Sequence, residues 1–500
     1  MAVDPKRVPV VIGVGEVNDR PAPGQAGMDP VELMAAALRA ADEDAGGGFI
    51  ARCDRLFVVP QISFRDLDVP TLLSSRLGVA PDRVRQAAQA SGDTPIHHLN
   101  DAANAIGAGE AQVCLVTGGE ALRTAAQRAA AVGDTGGPFK GSKQSASDLR
   151  RRYGMINPSE IYPLFENGTR AAWGQSLAQA QAETGEIWSR MSQVAETSDG
   201  AWLRKARTPA EITEATADNR PIAFPYTKLM VANASVNQGA AFIVTSLAVA
   251  RAAGVPEDRL VYVGLGAAAH EADDPLARAA WNIPPGMRVS LEQAMALNGL
   301  TVADLDHVEF YSCFPCVPKM ARRVIGWPLD RPVTVHGGLT FGGGPIANYM
   351  SHAVAGMVRK LRGGSRNGLL FANGGHCTHN HTIVLTRTPP TEVQFPQDYD
   401  FQAQADAARG AIPPLSDEIE GPCTLETYTV AYDRSGAPAY GVVFSRTADG
   451  KRTVARVAPE DEATMAFLTD GAREPVGSPG GTLRQGDTLH WRPRSPHAEA

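Results

Sequence analysis

Two stretches of this chain, one at its start and one past its middle, run through the same order of strands, helices and glycine-rich turns. Pro9-Val-Val-Ile-Gly-Val-Gly is answered by Val261-Tyr-Val-Gly-Leu-Gly, Asp54-Arg-Leu-Phe-Val-Val by His307-Val-Glu-Phe-Tyr, and Val113-Cys-Leu-Val-Thr-Gly-Gly by Leu369-Leu-Phe-Ala-Asn-Gly-Gly. The helix after Asp93 is answered by the helix after Pro345. A separation held at roughly 250 residues across several segments marks an internal duplication. Each copy alternates strand and helix, so each is expected to build a mainly parallel α/β sheet, and the two like halves to pair.

Charge and composition narrow the function classes. The 500 residues exceed what one hydrophobic core usually serves, so two or three domains are expected. With 43% apolar and 20% charged residues the chain reads as globular rather than disordered. A net charge of -7 speaks against nucleic acid or an anionic membrane as the main partner. No apolar signal core precedes Val8-Pro-Val-Val-Ile-Gly, and no segment stays apolar for the thickness of a bilayer. A cytoplasmic protein is expected, with neither membrane nor nucleic acid as partner. The six cysteines, at positions 53, 114, 313, 316, 377 and 423, are too scattered for a disulfide framework.

Val8 to Val14 reads as a buried strand, and the segment from Pro30 as an amphipathic helix capped by Asp29. The alternation stops between about residues 121 and 222, where a Gly/Ser/Lys-rich run from Gly133 to Ser147 leads into polar helical segments such as Ala171 to Ser198. This stretch is expected to be an insertion in a first half covering residues 1–260, with the second half covering 261–388. Beyond Arg387, a connector holding Pro389, Pro390, Pro413 and Pro414 leads to β-rich runs such as Thr424-Leu-Glu-Thr-Tyr-Thr-Val-Ala-Tyr and Tyr440-Gly-Val-Val-Phe-Ser. Residues 415–497 are expected to form a small antiparallel β-barrel.

The second half carries the densest loop. Val333-Thr-Val reads as a strand, Gly337-Gly-Leu-Thr-Phe-Gly-Gly-Gly as a turn, and a helix is expected from Pro345, whose fixed φ suits a first helical turn. Ile346, Met350, Val354, Met357 and Leu361 then fall on one arc, with Asn348 and His352 four apart on another. Glycines let the backbone approach a ligand, and a helix start presents unpaired N–H groups to developing negative charge. Gly343, Gly344 and Asn348 here, Gly92 before the first-half helix, and Gly374 and Gly375 after the Leu369 strand are candidate substrate-binding positions.

Six side chains are candidates for reactive work. Tyr311 follows a core strand, where a phenol could donate to an enolate; a buried, structurally satisfied tyrosine is the plainer alternative. Cys313 and Cys316 form Cys-Phe-Pro-Cys without a thioredoxin-like context, so inert thiols are expected, with Cys313 kept as a substitute nucleophile. His376-Cys377-Thr-His379-Asn-His381 is rich in ligand types, yet its spacing matches no common zinc site and no metal is expected. His376 and Cys377 are read instead as an acid/base and nucleophile pair. His352 is either a core histidine or a catalytic one. Ser91 precedes a helix start, where capping is the default and an activated hydroxyl the sharper reading.

Ala108-Gly-Glu, Phe224-Pro-Tyr-Thr-Lys-Leu-Met-Val-Ala-Asn, Val236-Asn-Gln-Gly-Ala-Ala, Tyr311-Ser-Cys-Phe-Pro, Gly337-Gly-Leu-Thr-Phe-Gly-Gly-Gly-Pro and Ala372-Asn-Gly-Gly occur in an order that resembles the thiolase superfamily. Within it the likeness is to the branch called thiolase-like protein type 1, related to the sterol-carrier-type thiolases. It spans nearly the whole chain, and Leu425-Glu-Thr-Tyr-Thr-Val resembles that branch's extra C-terminal β-barrel. The resemblance implies an α/β thiolase fold, five αβαβα layers made of two duplicated halves, with the barrel appended. It implies an acyl-CoA thioester as ligand, coenzyme A only as part of the substrate with no other cofactor, and a monomer or homodimer.

The departures from the family pattern bear on chemistry. Where thiolases carry a nucleophilic cysteine, this chain reads Ala90-Ser91-Gly92-Asp93. The family's Asn-Glu-Ala-Phe becomes Tyr311-Ser312-Cys313-Phe314, its Gly-His-Pro becomes Gly343-Gly344-Pro345, and its last acid/base cysteine falls on Ala372. The expectation is an acyl-CoA-handling protein of the acetyl-CoA acetyltransferase family, within lipid metabolism, that lacks the usual Cys/His/Cys set and works on C–C bonds through other residues. Two alternatives stay open. One is a non-catalytic acyl-CoA-binding or partner-dependent scaffold. The other is a retro-aldolase on hydroxyacyl-CoA, since tyrosines take such roles in thiolase-fold retro-aldolases.

Overall fold

The computed structural model describes residues 3–22, 24–131, 133 and 146–494; most of the Gly/Ser/Lys-rich run between Gly133 and Ser147 lies outside these. The first half contributes β1 (Pro9–Asn18), β2 (Arg55–Val58), β3 (Val84–Gln86) and β4 (Val113–Ala121). A small hairpin, β5 (Pro221–Ala223) and β6 (Tyr226–Thr227), precedes β7 (Asn237–Ser246). The second half supplies β8 (Val261–His270), β9 (His307–Phe310), β10 (Asn367–Gly374) and β11 (His379–Thr386). The sheet order β3-β2-β4-β7-β1 passes directly into β8-β11-β10-β9. The halves join where Val10 and Val11 pair with Tyr262 and Val261. β1, β2, β4 and β7 thus stand to one another as β8, β9, β10 and β11 do, which is the duplication seen in the sequence.

The sheet is mixed rather than mainly parallel. β2–β3, β2–β4 and β9–β10 are parallel, while β4–β7, β1–β7, β8–β11 and β10–β11 are antiparallel. Only the short turn at residues 375–378 separates β10 from β11, and a connection that short permits antiparallel pairing alone. Val333-Thr-Val, expected as a strand, is not one. Its backbone makes a single bond to β9, from Phe310 N to the Val333 carbonyl. The buried Glu309 carboxylate takes the Val335 N–H, a group a ladder would have used, and is anchored further by the Thr334 hydroxyl, both at 2.8 Å.

Outer helices cover the sheet. Pro30–Asp44 is closed by the expected Asp29 cap, with Glu32 reaching back to the Asp29 N–H to complete a capping box, an arrangement contributing about 1 kcal/mol. Pro285–Leu297 holds the matching place on the second half, against β8 and β11. Between the half-sheets lie Thr94–Ala108 and Tyr349–Arg362, each in contact with strands of both halves and with each other. Small side chains such as Ala102, Ala103, Ala353 and Ala355, all fully buried, let these central helices pack closely. The result is five layers, αβαβα.

The insertion supplies the helices Pro158–Ala172 and Leu177–Thr197, split at Gly174 where φ is +64°. The C-terminal strands β12 (Leu415–Ser416), β13 (Gly421–Tyr432), β14 (Pro438–Arg446), β15 (Arg452–Val457), β16 (Pro479–Gln485) and β17 (Thr488–Pro493) follow. Five of them close into a barrel, β13-β14-β15-β17-β16 and back to β13. The barrel is antiparallel except at β15–β17, which are parallel, and the helix Glu462–Thr469 lies between β15 and β16. That connectivity is the OB type of Greek-key barrel. Leu425, Tyr428, Val430, Val443, Val457, Phe467 and Trp491 fill it.

The barrel is bonded to the insertion. Thr427 donates its hydroxyl to the Leu164 carbonyl at 2.6 Å, Asn167 donates to the Tyr428 carbonyl at 2.8 Å, and Phe224 N, just after β5, donates to the Val430 carbonyl at 2.8 Å. Among the described residues no helix is long and apolar enough to cross a membrane.

Candidate functional site

Four segments converge at the ends of β9 and β10. Tyr311 and Cys313 leave β9, Asn373 and Gly374 end β10, Ser91-Gly92-Asp93 opens the Thr94–Ala108 helix, and Tyr162 projects from the Pro158–Ala172 helix of the insertion. The approach is close enough to require glycine. A Cβ on Gly92 would stand 2.2 Å from the Asn373 carbonyl oxygen and 2.5 Å from the Tyr311 hydroxyl; one on Gly374 would stand 1.9 Å from Ser91 Oγ. Ser91 donates its hydroxyl to Asp93 Oδ1. The N–H groups of Gly92 and Asp93 take no backbone acceptor among the described residues, as expected at the start of a helix.

Tyr162 closes the other side. Its hydroxyl lies 3.1 Å from both Asn373 Oδ1 and the Gly375 carbonyl, two acceptors for one proton, and accepts the Cys377 N–H at 3.4 Å. Its ring stacks on Phe314 with centroids 4.5 Å apart. On the second half, Tyr349, the first residue of the central helix, meets the Tyr311 ring edge-on at 6.1 Å. Both central helix starts therefore reach Tyr311.

Burial sets the protonation states. It pushes the Tyr311 phenol well above its ordinary value, with Cys313 and Asp93 adding to the shift, so the hydroxyl stays protonated. Burial also drives the Cys313 thiol up to about 12, and the Cys316 and Cys377 thiols well above the usual range. His376 falls to about 3 through burial and the nearby Arg150 and Arg278. At neutral pH the site thus holds neutral phenols, neutral thiols and a neutral imidazole. A thiolate, the nucleophile of ordinary acyl-transfer by cysteine, is not favoured here.

The other sequence candidates lie elsewhere. The helix expected from Pro345 begins four residues later, at Tyr349. Asn348 N bonds back to the Pro345 carbonyl, closing a turn, and Ala347 takes a left-handed φ of +64° that breaks the helical path. Asn348 is buried against Gly118 of β4, its amide without a protein partner among the described residues. Gly343, at φ +100°, packs on Gln238, and Gly344 N donates to the Asn233 carbonyl at 2.8 Å.

His352 is fully buried on β1, its Nδ1 2.6 Å from Glu16 Oε1. His336 Nδ1 stands 3.5 Å from the same oxygen, and Arg359 holds Glu16 Oε2. Although burial opposes it, His336, His352 and Arg359 keep the Glu16 carboxyl well below the usual carboxylate range. Ser91, Gly92, Tyr311, Cys313, Gly374, Gly375, His376 and Cys377 are thus grouped in one place, and His352, Asn348, Gly343 and Gly344 in another. Tyr162, Asp93 and Asn373 are functional candidates absent from the sequence reading. Asn373 was visible in Ala-Asn-Gly-Gly, while nothing around Tyr162 marks it.

A cleft of about 830 Å³ opens from Ser91 and Asp93, over Phe57 and Ala105, past His97 to Pro396. Of the residues grouped around Tyr311, Ser91 lines this cleft, together with the neighbouring Asp93.

Residues 401–486 match the family model described as the thiolase-like protein type 1 additional C-terminal domain. Among solved structures, a monomeric SCP2-thiolase like protein type 1 from Mycobacterium smegmatis superposes with a TM-score of 0.83 at 28% identity, covering 98% of this chain and 100% of that one. The Ltp2-ChsH2(DUF35) aldolase gives 0.61 at 18% identity, over 76% of this chain and 97% of that one. Human mitochondrial 3-ketoacyl-CoA thiolase, solved in complex with CoA, gives 0.57 at 14% identity, over 78% and 100%. No curated protein matches the sequence.

Proposed function

We propose that this chain, which is similar to SCP2-thiolase like protein type 1 and matches the thiolase-like protein type 1 additional C-terminal domain, handles an acyl-CoA thioester where its halves meet, making or breaking a C–C bond at the α-carbon. The observation that carries this reading is the Tyr311 hydroxyl, set against Gly92 and beside Asp93, in a group where every thiol is held protonated. A neutral phenol can protonate the enolate left when the bond to the α-carbon breaks, or hydrogen-bond to that enolate as it forms. The unpaired N–H groups at Gly92 and Asp93 supply further donors for the thioester oxygen.

In the cleavage direction the Asp93 carboxylate takes the proton of a 3-hydroxyl, the Cα–Cβ bond breaks to give a carbonyl compound and an enolate, Tyr311 protonates the enolate at the α-carbon, and the proton taken by Asp93 returns to the Tyr311 oxygen. Proton and electron count close without a cofactor. That the Cys313 and Cys377 thiols are held protonated favours this direction over acyl transfer through a cysteine. The barrel bears on the site through the Pro158–Ala172 helix it clamps, which carries Tyr162.

Incubation with 3-hydroxyacyl- and 3-ketoacyl-CoA esters of graded size tests the reading. Turnover that falls about 100-fold or more in Tyr311→Phe is the expected result. Binding of the esters without turnover, unchanged by Tyr311→Phe, would favour a scaffold instead. Neither turnover nor binding would end both.

A further inference from the structure

We propose that the cleft beside the candidate site binds one divalent transition-metal ion through His97, His98 and Asp101. These residues sit at the start of the Thr94–Ala108 helix, with His97 and Asp101 four apart on one face. A ring nitrogen of each histidine and a carboxylate oxygen of Asp101 lie within 4.8 Å of one another. A first-row ion about 2.0–2.2 Å from each donor needs them within roughly 4.4 Å, so a small closure suffices.

His98 is the telling member. It is 5% exposed, and its Nε2 lies 3.3 Å from the Val58 carbonyl. That carbonyl can only accept, so Nε2 carries the proton and Nδ1 is left with a lone pair. Nδ1 has no partner among the described residues. A buried acceptor left unpaired loses its hydration with nothing to replace it. A ring N–H fixed by a backbone carbonyl, with the second nitrogen free, is how proteins orient a metal-ligating histidine.

Asp101 is prepared in a similar way. Tyr399 donates its hydroxyl to Asp101 Oδ1 at 2.8 Å, while Oδ2 faces His97 Nδ1 at 3.0 Å. The His97–Asp101 contact alone would be an ordinary ion pair; it leaves the His98 nitrogen unexplained. Two imidazoles and one carboxylate suit zinc, cobalt or nickel better than magnesium or calcium. Three protein donors leave positions open toward the cleft, where Asp93, His270 and His379 also line the wall. His376 and Cys377, the ligand types conspicuous in the sequence, take no part. The proposal does not depend on the acyl-CoA reading, because its readout is metal binding.

The test titrates the chelator-treated full-length chain with cobalt(II), followed by calorimetry and visible absorption. One equivalent is expected to bind with d–d absorption bands. His97→Ala, at a half-exposed position, and Asp101→Asn should each weaken binding by roughly a hundredfold. His307→Ala, at the start of β9 with its ring bonded to Ser365 and outside the cleft lining, should bind as the parent does. No saturable binding, or binding untouched by both His97→Ala and Asp101→Asn, would overturn the proposal.

Discussion

Adding one methyl group at Gly92 tests how tightly the candidate site is built. Gly92 does not occupy the left-handed region, so Gly92→Ala brings no backbone penalty and by itself would stabilise by about 0.4–1 kcal/mol. The new Cβ, however, would stand 2.2 Å from the Asn373 carbonyl oxygen and 2.5 and 2.7 Å from the Tyr311 hydroxyl oxygen and Cζ. Ordinary contact begins near 3.4 Å, so Asn373 or Tyr311 must retreat by about 1 Å. Asn373 cannot do so cheaply, because it is paired with Asn380 in the β10–β11 ladder. Overpacking of this kind costs about 1–3 kcal/mol, and with backbone-carbonyl contact at 2.2 Å the upper part of that range applies, giving a net loss of about 1–2.6 kcal/mol. Urea unfolding measures it against Gly410→Ala, where the nearest atom to a new Cβ is 3.7 Å away and no loss is expected. A 1 Å displacement of Tyr311 should also lower turnover of any accepted ester about 100-fold. If Gly92→Ala is as stable as Gly410→Ala, the packing described around Tyr311 is wrong.

Three further outcomes are expected. Lys319 Nζ lies 2.5 Å from Glu166 Oε1 with both side chains buried, so Lys319→Met should cost about 3–5 kcal/mol in urea unfolding and Lys319→Met/Glu166→Gln clearly less; a single-variant loss below about 1 kcal/mol would refute this. His98 and His336 are lowered to about 4, and His376 and His381 to about 3, in each case chiefly by burial. The folded state therefore binds fewer protons than the unfolded chain below pH 6.5, and stability should fall as pH drops from about 6.5 toward 4. Glu309, raised to about 7 by burial, acts oppositely, its contribution being lost as pH rises from 4.5 to 7; Glu120 and Glu160, also raised by burial, act with it, while His307 and His490, lowered by burial, act with the four histidines. Unfolding free energy that stays flat between pH 6.5 and 4 would contradict this. Finally, thiol labelling at pH 7 should be slow for all six cysteines in the native protein and fast in urea; one thiol reacting at the rate of free cysteine would restore a cysteine nucleophile.

The duplication was readable because strand periodicity and turn glycines recur in both halves; the sequence offered Ser91, Gly92, Tyr311 and Gly374 together with His352, Asn348, Gly343 and Gly344, and only the fold separates the two sets. What escaped the sequence depends on contacts between distant residues. Val333-Thr-Val has the composition of a strand, but Glu309 claims its Val335 N–H and Thr334 hydroxyl. Pro345 looks like a helix start, but left-handed Ala347 delays the helix to Tyr349, and alanine gives no warning of that conformation. His352 finds its partner in Glu16, more than three hundred positions away in sequence. Tyr162 comes from the insertion, where the repeat offers no counterpart. His97, His98 and Asp101 read in sequence as ordinary helix residues, and only the Val58 carbonyl reveals which nitrogen of His98 is free.

The most direct test is a structure of the protein with a 3-hydroxyacyl-CoA bound. The thioester oxygen is expected within hydrogen-bonding distance of the Tyr311 hydroxyl or the Gly92 N–H, with the acyl group between Tyr162 and the Thr94–Ala108 helix start. An ester seated elsewhere, with Tyr311 and Gly92 untouched, would contradict the account.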